Sequence, residues 1–208
     1  MRIDEIESYC VHLPNRMDRE KNMKIELDGF TSNWKVFGAI KKSPGYIGVS
    51  ESFKSIVRSA KERGLKQVLI FEDDIKFTSV NSKEQFQKCI DSLPNDWDIL
   101  LGGIYSLVDL NDLNNESINC CIKRIGDFSA LHCTLINESA YDMVLRHNPY
   151  DKYTHLDRWV GYLSANDRLK VYVSYPMVAI QNTTYSESGP ARVEVNYDRM
   201  LDKFDLFR

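Results

Sequence analysis

Val68-Leu69-Ile70-Phe71-Glu72-Asp73-Asp74-Ile75-Lys76-Phe77 is the stretch that decides the fold. Four apolar residues in a row, β-branched or bulky, predict a strand buried on both faces. Three carboxylates follow at once, and apolar character resumes at Ile75 and Phe77. The end of a parallel strand in an open α/β sheet borders the crevice where ligands bind. Three acids there repel one another and call for a positive partner, and a divalent cation with oxygen ligands fits best. Extended backbone sends Glu72 and Asp74 to one face and Asp73 to the other. That makes Glu72 and Asp74 candidate metal ligands and leaves Asp73 for a basic residue or a helix N-terminus. A solvated turn at a strand end is the plainer alternative, since charged residues mostly stay exposed.

The flanking sequence alternates strands and helices. Tyr9 to Leu13 reads as a strand ended by Pro14, and Asn15 as the cap of a helix running to about Leu27. Trp34 to Ala39 reads as a second strand and Lys41 to Gly48 as a loop. Phe53, Ile56, Val57 and Ala60 fall at helical spacing, which predicts a helix over about 51–63, capped by Ser50 and closed by Gly64. Ser82-Lys83-Glu84-Gln85 has the form of a capping box. Strands are expected over 98–105, 131–136 and 171–175, with helices over 138–146 and from Thr154 onward. The Asn/Asp-rich stretch 109–119 reads as a surface loop. This pattern predicts one α/β domain over residues 1–208, a mostly parallel sheet with one or two antiparallel additions, and a polar tail from about 181.

The bulk properties exclude little. The chain has 208 residues, 43% of them hydrophobic, and a formal charge of −3, which gives no electrostatic case for a nucleic-acid binder. No run approaches a membrane span, and Met1 to Cys10 lacks the apolar core of a signal peptide. A cytoplasmic, soluble protein is expected, with peripheral membrane contact left open. Cys10, Cys89, Cys120, Cys121 and Cys133 show no metal-type spacing and read as free thiols.

In order along the chain, these residues resemble glycosyltransferase family 25, the family of lipooligosaccharide and collagen galactosyltransferases. The first block is Val11-His12-Leu13 followed by Arg16, Asp18 and Arg19, with His12 where the family has Asn. The second is Gly45-Tyr46-Ile47-Gly48 with Ser52, where Phe53 replaces the usual His. The third, Leu69 to Asp74, matches without gaps. The fourth is His132 to Asn137, followed by Asp157 at a position the family keeps acidic and by a closing segment from Val171 to Gln181.

The resemblance implies a GT-A-like domain that moves a sugar, typically galactose, from a nucleotide-diphosphate donor, UDP favoured, to an acceptor hydroxyl with inversion. Negative charge grows on the departing diphosphate, and Mn²⁺ or Mg²⁺ held by carboxylates absorbs it. On this reading Asp74 and Glu72 are the metal ligands, Glu72 also contacts donor hydroxyls, and Asp73 supports either. His12, Arg16, Arg19, Gly45, Gly48, Ser52 and Gln181 are donor-site candidates. Arg16 and Arg19 suit the diphosphate, although ordinary surface pairing explains them too. Asp157 is the candidate general base by family position, and Thr154-x-x-Asp157 equally has the form of a helix cap. His155 is an alternative base, and His132 reads as a core histidine. The acceptor is expected to be a glycan, a lipid-linked oligosaccharide or a protein, with a modified DNA base less favoured. A metal-dependent nucleotidyltransferase or phosphohydrolase, and a non-catalytic sugar-binding module, are the alternatives.

Overall fold

The structure, a computed structural model, describes residues 1–107, 121–182, 185–186 and 193–194. The loop expected at 109–119 and most of the polar tail lie outside these residues. Thirteen strands are described: β1 (Ser8–His12), β2 (Trp34–Gly38), β3 (Gln67–Glu72), β4 (Ile75–Phe77), β5 (Ile99–Leu101), β6 (Ser106–Leu107), β7 (Ile122–Arg124), β8 (Phe128–Ser129), β9 (Cys133–Asn137), β10 (Val171–Ser174), β11 (Ala179–Gln181), β12 (Tyr185–Ser186) and β13 (Val193–Glu194). The helices are α1 (Met17–Phe30), α2 (Gly45–Glu62), α3 (Ser82–Asp91), α4 (Tyr141–Leu145) and α5 (Leu156–Ala165).

A seven-stranded sheet in the order β2-β1-β3-β9-β5-β10-β7 forms the centre. Parallel pairing joins β2, β1 and β3, and also β5 and β10. Strands β9 and β7 run against their neighbours. The expected parallel sheet with antiparallel additions is therefore present, and it is flanked by helices.

The continuous apolar run of β3 is explained by burial on both sides. Val68 and Ile70 join a core with residues of α2, α4 and α5, such as Phe53, Val144 and Val160. Leu69 and Phe71 join a second core with residues of α1 and α3, such as Leu27 and Phe86. The period-two alternation of strand side chains thus feeds both layers from one segment.

Several helix starts differ from expectation. Helix α1 is preceded by Arg16 rather than capped by Asn15, and no side chain closes its first turn. Residue Ser82 already lies inside α3, where its Oγ accepts from the Ser79 N–H at 3.1 Å, so the expected capping box is absent. Helix α2 begins at Gly45 behind Pro44, six residues before the expected start. Ser50, expected as its cap, is instead buried mid-helix with its Oγ 2.6 Å from Nδ1 of His147. Glycines at 45 and 48 read as turn residues because glycine costs about 1 kcal/mol inside a helix. Gly48 is needed for another reason: a Cβ there would collide with the carbonyl oxygen of Ile40. The far end of α2 follows expectation, with Gly64 in the left-handed region at φ 68°.

The Gly48 contact yields a first prediction. Gly48→Ala must push the 40–42 segment away from α2, and the backbone carbonyl has little freedom to yield. Urea denaturation should show a loss of roughly 2 kcal/mol or more, in the upper range for over-packing. A loss below about 0.5 kcal/mol, typical of a neutral surface change, would mean that this close approach is relaxed in solution.

Candidate active site

Strand β3 delivers its acids to one end of the sheet, and the register of β1 decides what meets them. Val11 lies opposite Glu72, so His12 arrives beside Asp73. Its Nδ1 is 2.7 Å from Asp73 Oδ2, and both side chains are buried. Arg19, in the first turn of α1, donates to Asp73 Oδ1 at 2.5 Å and stands 3.1 Å from Asp74 Oδ2. Asp73 faces a basic residue as expected, but residues 73–74 form a turn rather than extended strand, so Arg19 reaches Asp74 as well and the expected separation of Glu72 and Asp74 from Asp73 does not hold. The positive charge of Arg19 near a helix N-terminus is balanced by these carboxylates.

Gln181 comes from far away in sequence. Strand β11 pairs with β4, placing Gln181 opposite Ile75. Its Nε2 donates to Asp74 Oδ2 at 2.6 Å, and the Asn182 N–H donates to the Asp74 carbonyl at 2.6 Å. Asp74 is only 4% exposed, so it is not the solvent-facing residue that a strand-end turn suggests. Its second oxygen, Oδ1, is buried and has no hydrogen-bond partner among the described residues.

The acids share a pocket of about 380 Å³. Arg16, Arg19, Gly45, Gly48, Ser52, Glu72, Asp73, Asp74 and Gln181 all line it. His12 stands behind Asp73, outside the lining. Ser52 is occupied structurally, since its Oγ donates to the Gly48 carbonyl at 2.7 Å and accepts from the Ile40 N–H at 2.9 Å. Arg16 holds Asp18 through Nε and one terminal nitrogen at 2.9 and 2.7 Å. Lys41 and Lys42, exposed at the pocket edge, were not singled out by sequence reasoning. The available signal was two consecutive lysines just ahead of Pro44-Gly45, which is a helix start only once Gly48 is understood.

The electrostatics of the acidic side are severe. Loss of solvent, and then the charges of Asp74, Asp157 and Asp73, push the Glu72 carboxyl well above the usual range, while Arg19 pulls it back. Glu72 is nevertheless half-buried rather than sealed and keeps part of its surface open. Burial also raises Asp74, against the charge of Arg19 and the hydrogen bond from Gln181. Among the described residues, Arg19 and His12 are the basic groups bonded to this acidic turn.

Asp157 lies in the first turn of α5, close enough to act on Glu72 but outside the pocket lining. Its Oδ2 accepts from the Ala130 N–H at 2.8 Å and its Oδ1 from the Arg158 N–H at 2.7 Å. The first bond holds Ala130 at φ 85°, a backbone region that a residue with a Cβ seldom enters. The expected Thr154–Asp157 capping box does not form, because the Thr154 hydroxyl lies 3.0 Å from Nδ1 of His155 instead. His132 is a core histidine as expected: it is fully buried, with Nε2 3.1 Å from the Ala179 carbonyl, and burial lowers it to about 4.

Divalent metal chemistry fits part of this arrangement. Among the described residues no three His, Cys, Asp or Glu side chains converge as a ready-made cage. Asp74 Oδ1 is a buried oxygen with no hydrogen-bond partner among the described residues, and the half-buried Glu72 lines the same pocket. Magnesium-type sites commonly use one or two carboxylates and take their other ligands from water and substrate phosphates.

No family model matches the chain, and no curated protein matches it by sequence. Solved structures do share its fold. A glycosyltransferase involved in the glycosylation of the major capsid of PBCV-1 superposes with a TM-score of 0.57 at 10% identity, covering 88% of this chain and 95% of that one. A197 from STIV superposes with a TM-score of 0.50 at 10% identity, covering 94% and 100%. The fold is GT-A-like. The likeness is one of fold alone and does not single out family 25. Among the described residues no helix is long and apolar enough to cross a membrane.

Proposed function

We propose that the protein is a metal-assisted, inverting glycosyltransferase that moves a hexose such as galactose from a UDP-sugar to an acceptor hydroxyl. The observation that carries this reading is the polarity of the pocket. Glu72 and Asp74 line the same pocket as Arg16, Lys41, Lys42 and Gly45, the first residue of α2. A diphosphate suits the cationic part of this lining, because N–H groups at a helix start and flanking cations both favour anions. A divalent cation on Asp74 Oδ1 would supply Lewis-acid stabilisation of the charge that grows on the departing diphosphate.

The chain's own residues do the remaining work. Arg19 and His12 hold Asp73, which fixes the acidic turn. Gln181 holds Asp74 through one oxygen and leaves the other for ligation. Glu72 accepts hydrogen bonds from sugar hydroxyls at the pocket floor. Asp157 is assigned the acceptor proton, and its two backbone bonds fix its orientation.

The test is a melting-temperature screen against nucleotide diphosphates with and without Mn²⁺. A ligand at ~100 times its Kd stabilises the native state by about 2.7 kcal/mol. For a chain of this size that corresponds to a shift of roughly 5–10 °C. The expected result is a shift with UDP that requires Mn²⁺, followed by transfer in a UDP-sugar panel. Absence of a shift with every nucleotide would overturn the reading and favour a sugar-binding module. Release of nucleotide with no sugar product other than a sugar phosphate would favour the phosphohydrolase alternative.

A further inference from the structure

The pocket accounts for a donor but leaves the acceptor without a seat. Tyr46, in the first turn of α2, is flanked in sequence by Gly45, which lines the pocket. Its ring lies against that of His155, with centroids 4.6 Å apart and planes tilted by 35°. His155 directly precedes α5 and is two residues from Asp157, whose charge reaches Glu72. Both rings are half-buried, so each keeps part of its surface in solvent. The pair therefore joins the pocket rim to the carboxylate assigned the acceptor proton.

We propose that the Tyr46–His155 pair is the platform for a neutral carbohydrate acceptor, whose apolar ring face lies on the aromatic surface while a hydroxyl faces Asp157. This rests on the transferase reading for the word acceptor, although carbohydrate binding itself does not. The charge distribution selects a sugar over a nucleic acid. Of the nearby cations, Lys54 is paired to Glu51 at 2.7 Å and Arg158 to Asp127 at 2.7 Å, while Lys41 and Lys42 at the pocket edge are assigned to the donor diphosphate. Asp157, two residues beyond His155, repels phosphates and accepts hydrogen bonds from hydroxyls. Aromatic faces with a few convergent polar groups are the usual composition of a small-ligand site.

Saturation-transfer NMR on the full chain tests this, using methyl glycosides of glucose, galactose, mannose, fucose and N-acetylglucosamine, with a thymidine dinucleotide as the rival probe. At least one glycoside should receive saturation on its ring hydrogens in the wild type. Tyr46→Ala and His155→Ala should each reduce that signal about fivefold, in line with the worth of an aromatic contact. Tyr46→Phe, which keeps the ring, should retain it, and a melting temperature of Tyr46→Ala close to that of the wild type excludes misfolding as the cause of its loss. No glycoside signal in the wild type, an undiminished signal in Tyr46→Ala, or saturation of the dinucleotide instead would each overturn the platform. Nucleotide binding distinguishes the two failures. A glycoside signal without a UDP shift removes the transferase reading and keeps the platform, whereas a UDP shift without a glycoside signal does the reverse.

Discussion

Asp74→Asn is expected to raise the melting temperature of the free protein while reducing sugar transfer by roughly 100-fold or more, the scale of losing one electrostatic contact to a developing charge. The stability gain follows from the sign of the Asp74 shift. Burial raises its pKa above the ordinary value of 3.8, with the Asp73 charge adding to the effect and Arg19 and Gln181 opposing it. A carboxyl whose pKa is higher folded than unfolded binds its proton more tightly in the native state. Its favourable contribution is complete below the unfolded pKa and is lost as pH rises through the folded one. At neutral pH the native state therefore carries a buried charge that it disfavours. Asparagine has the same shape, accepts the 2.6 Å bond from Gln181 through its carbonyl, and removes the charge. Arg19 keeps Asp73. The advantage of the variant should be largest near pH 7.5 and shrink toward pH 4, measured by thermal or urea denaturation. Mn²⁺ with UDP should stabilise the wild type and leave the variant unmoved. A variant less stable than wild type at neutral pH would mean that the contact with Arg19 outweighs burial.

Most of this arrangement was legible at the level of elements. The apolar run before Glu72 required a strand with two buried faces, and the two cores on either side of β3 are the reason. The alternation of helices and strands implied the parallel part of the sheet. What escaped was set by approach between distant segments. Gly48 looks like a turn residue because its necessity comes from the Ile40 carbonyl. Misreading it hid the true start of α2 and with it the meaning of Lys41 and Lys42. Asp74 looked exposed because nothing in its neighbourhood announces that β11 will return to cover it from 107 positions away. The Thr154–Asp157 spacing fits a cap, yet the carboxylate is spent on Ala130, a partner whose unusual backbone no local pattern reveals. The pairing of His12 with Asp73 was within reach, because it needs only the register of two adjacent parallel strands.

Arg19→Met is expected to lower stability more than any other single change at the site, by about 3–5 kcal/mol, the range for removing one partner of a buried ion pair. The Arg19 side chain is 13% exposed, and those of Asp73 and Asp74 are 8% and 3% exposed. Without the guanidinium, the side-chain partners left to the two adjacent buried carboxylates among the described residues are His12, on one oxygen of Asp73, and Gln181, on one oxygen of Asp74. A loss of this size should lower the melting temperature by roughly 6–20 °C in a chain of this length. Arg19→Lys should recover part of it, since a lysine keeps the charge but lacks the rigid guanidinium geometry that sets one terminal nitrogen of Arg19 against both carboxylates. The decisive comparison is the double variant. If Arg19 acts by compensating charge, Asp74→Asn in the Arg19→Met background should restore more stability than it adds to the wild type, with a coupling of about 0.5–3 kcal/mol. The same logic requires the Arg19→Met deficit to shrink as pH falls and the carboxylates take up protons. Additive effects, or a deficit that does not depend on pH, would show that Arg19 contributes packing along its aliphatic stem rather than charge, and the account of how the acidic turn is held would have to be abandoned.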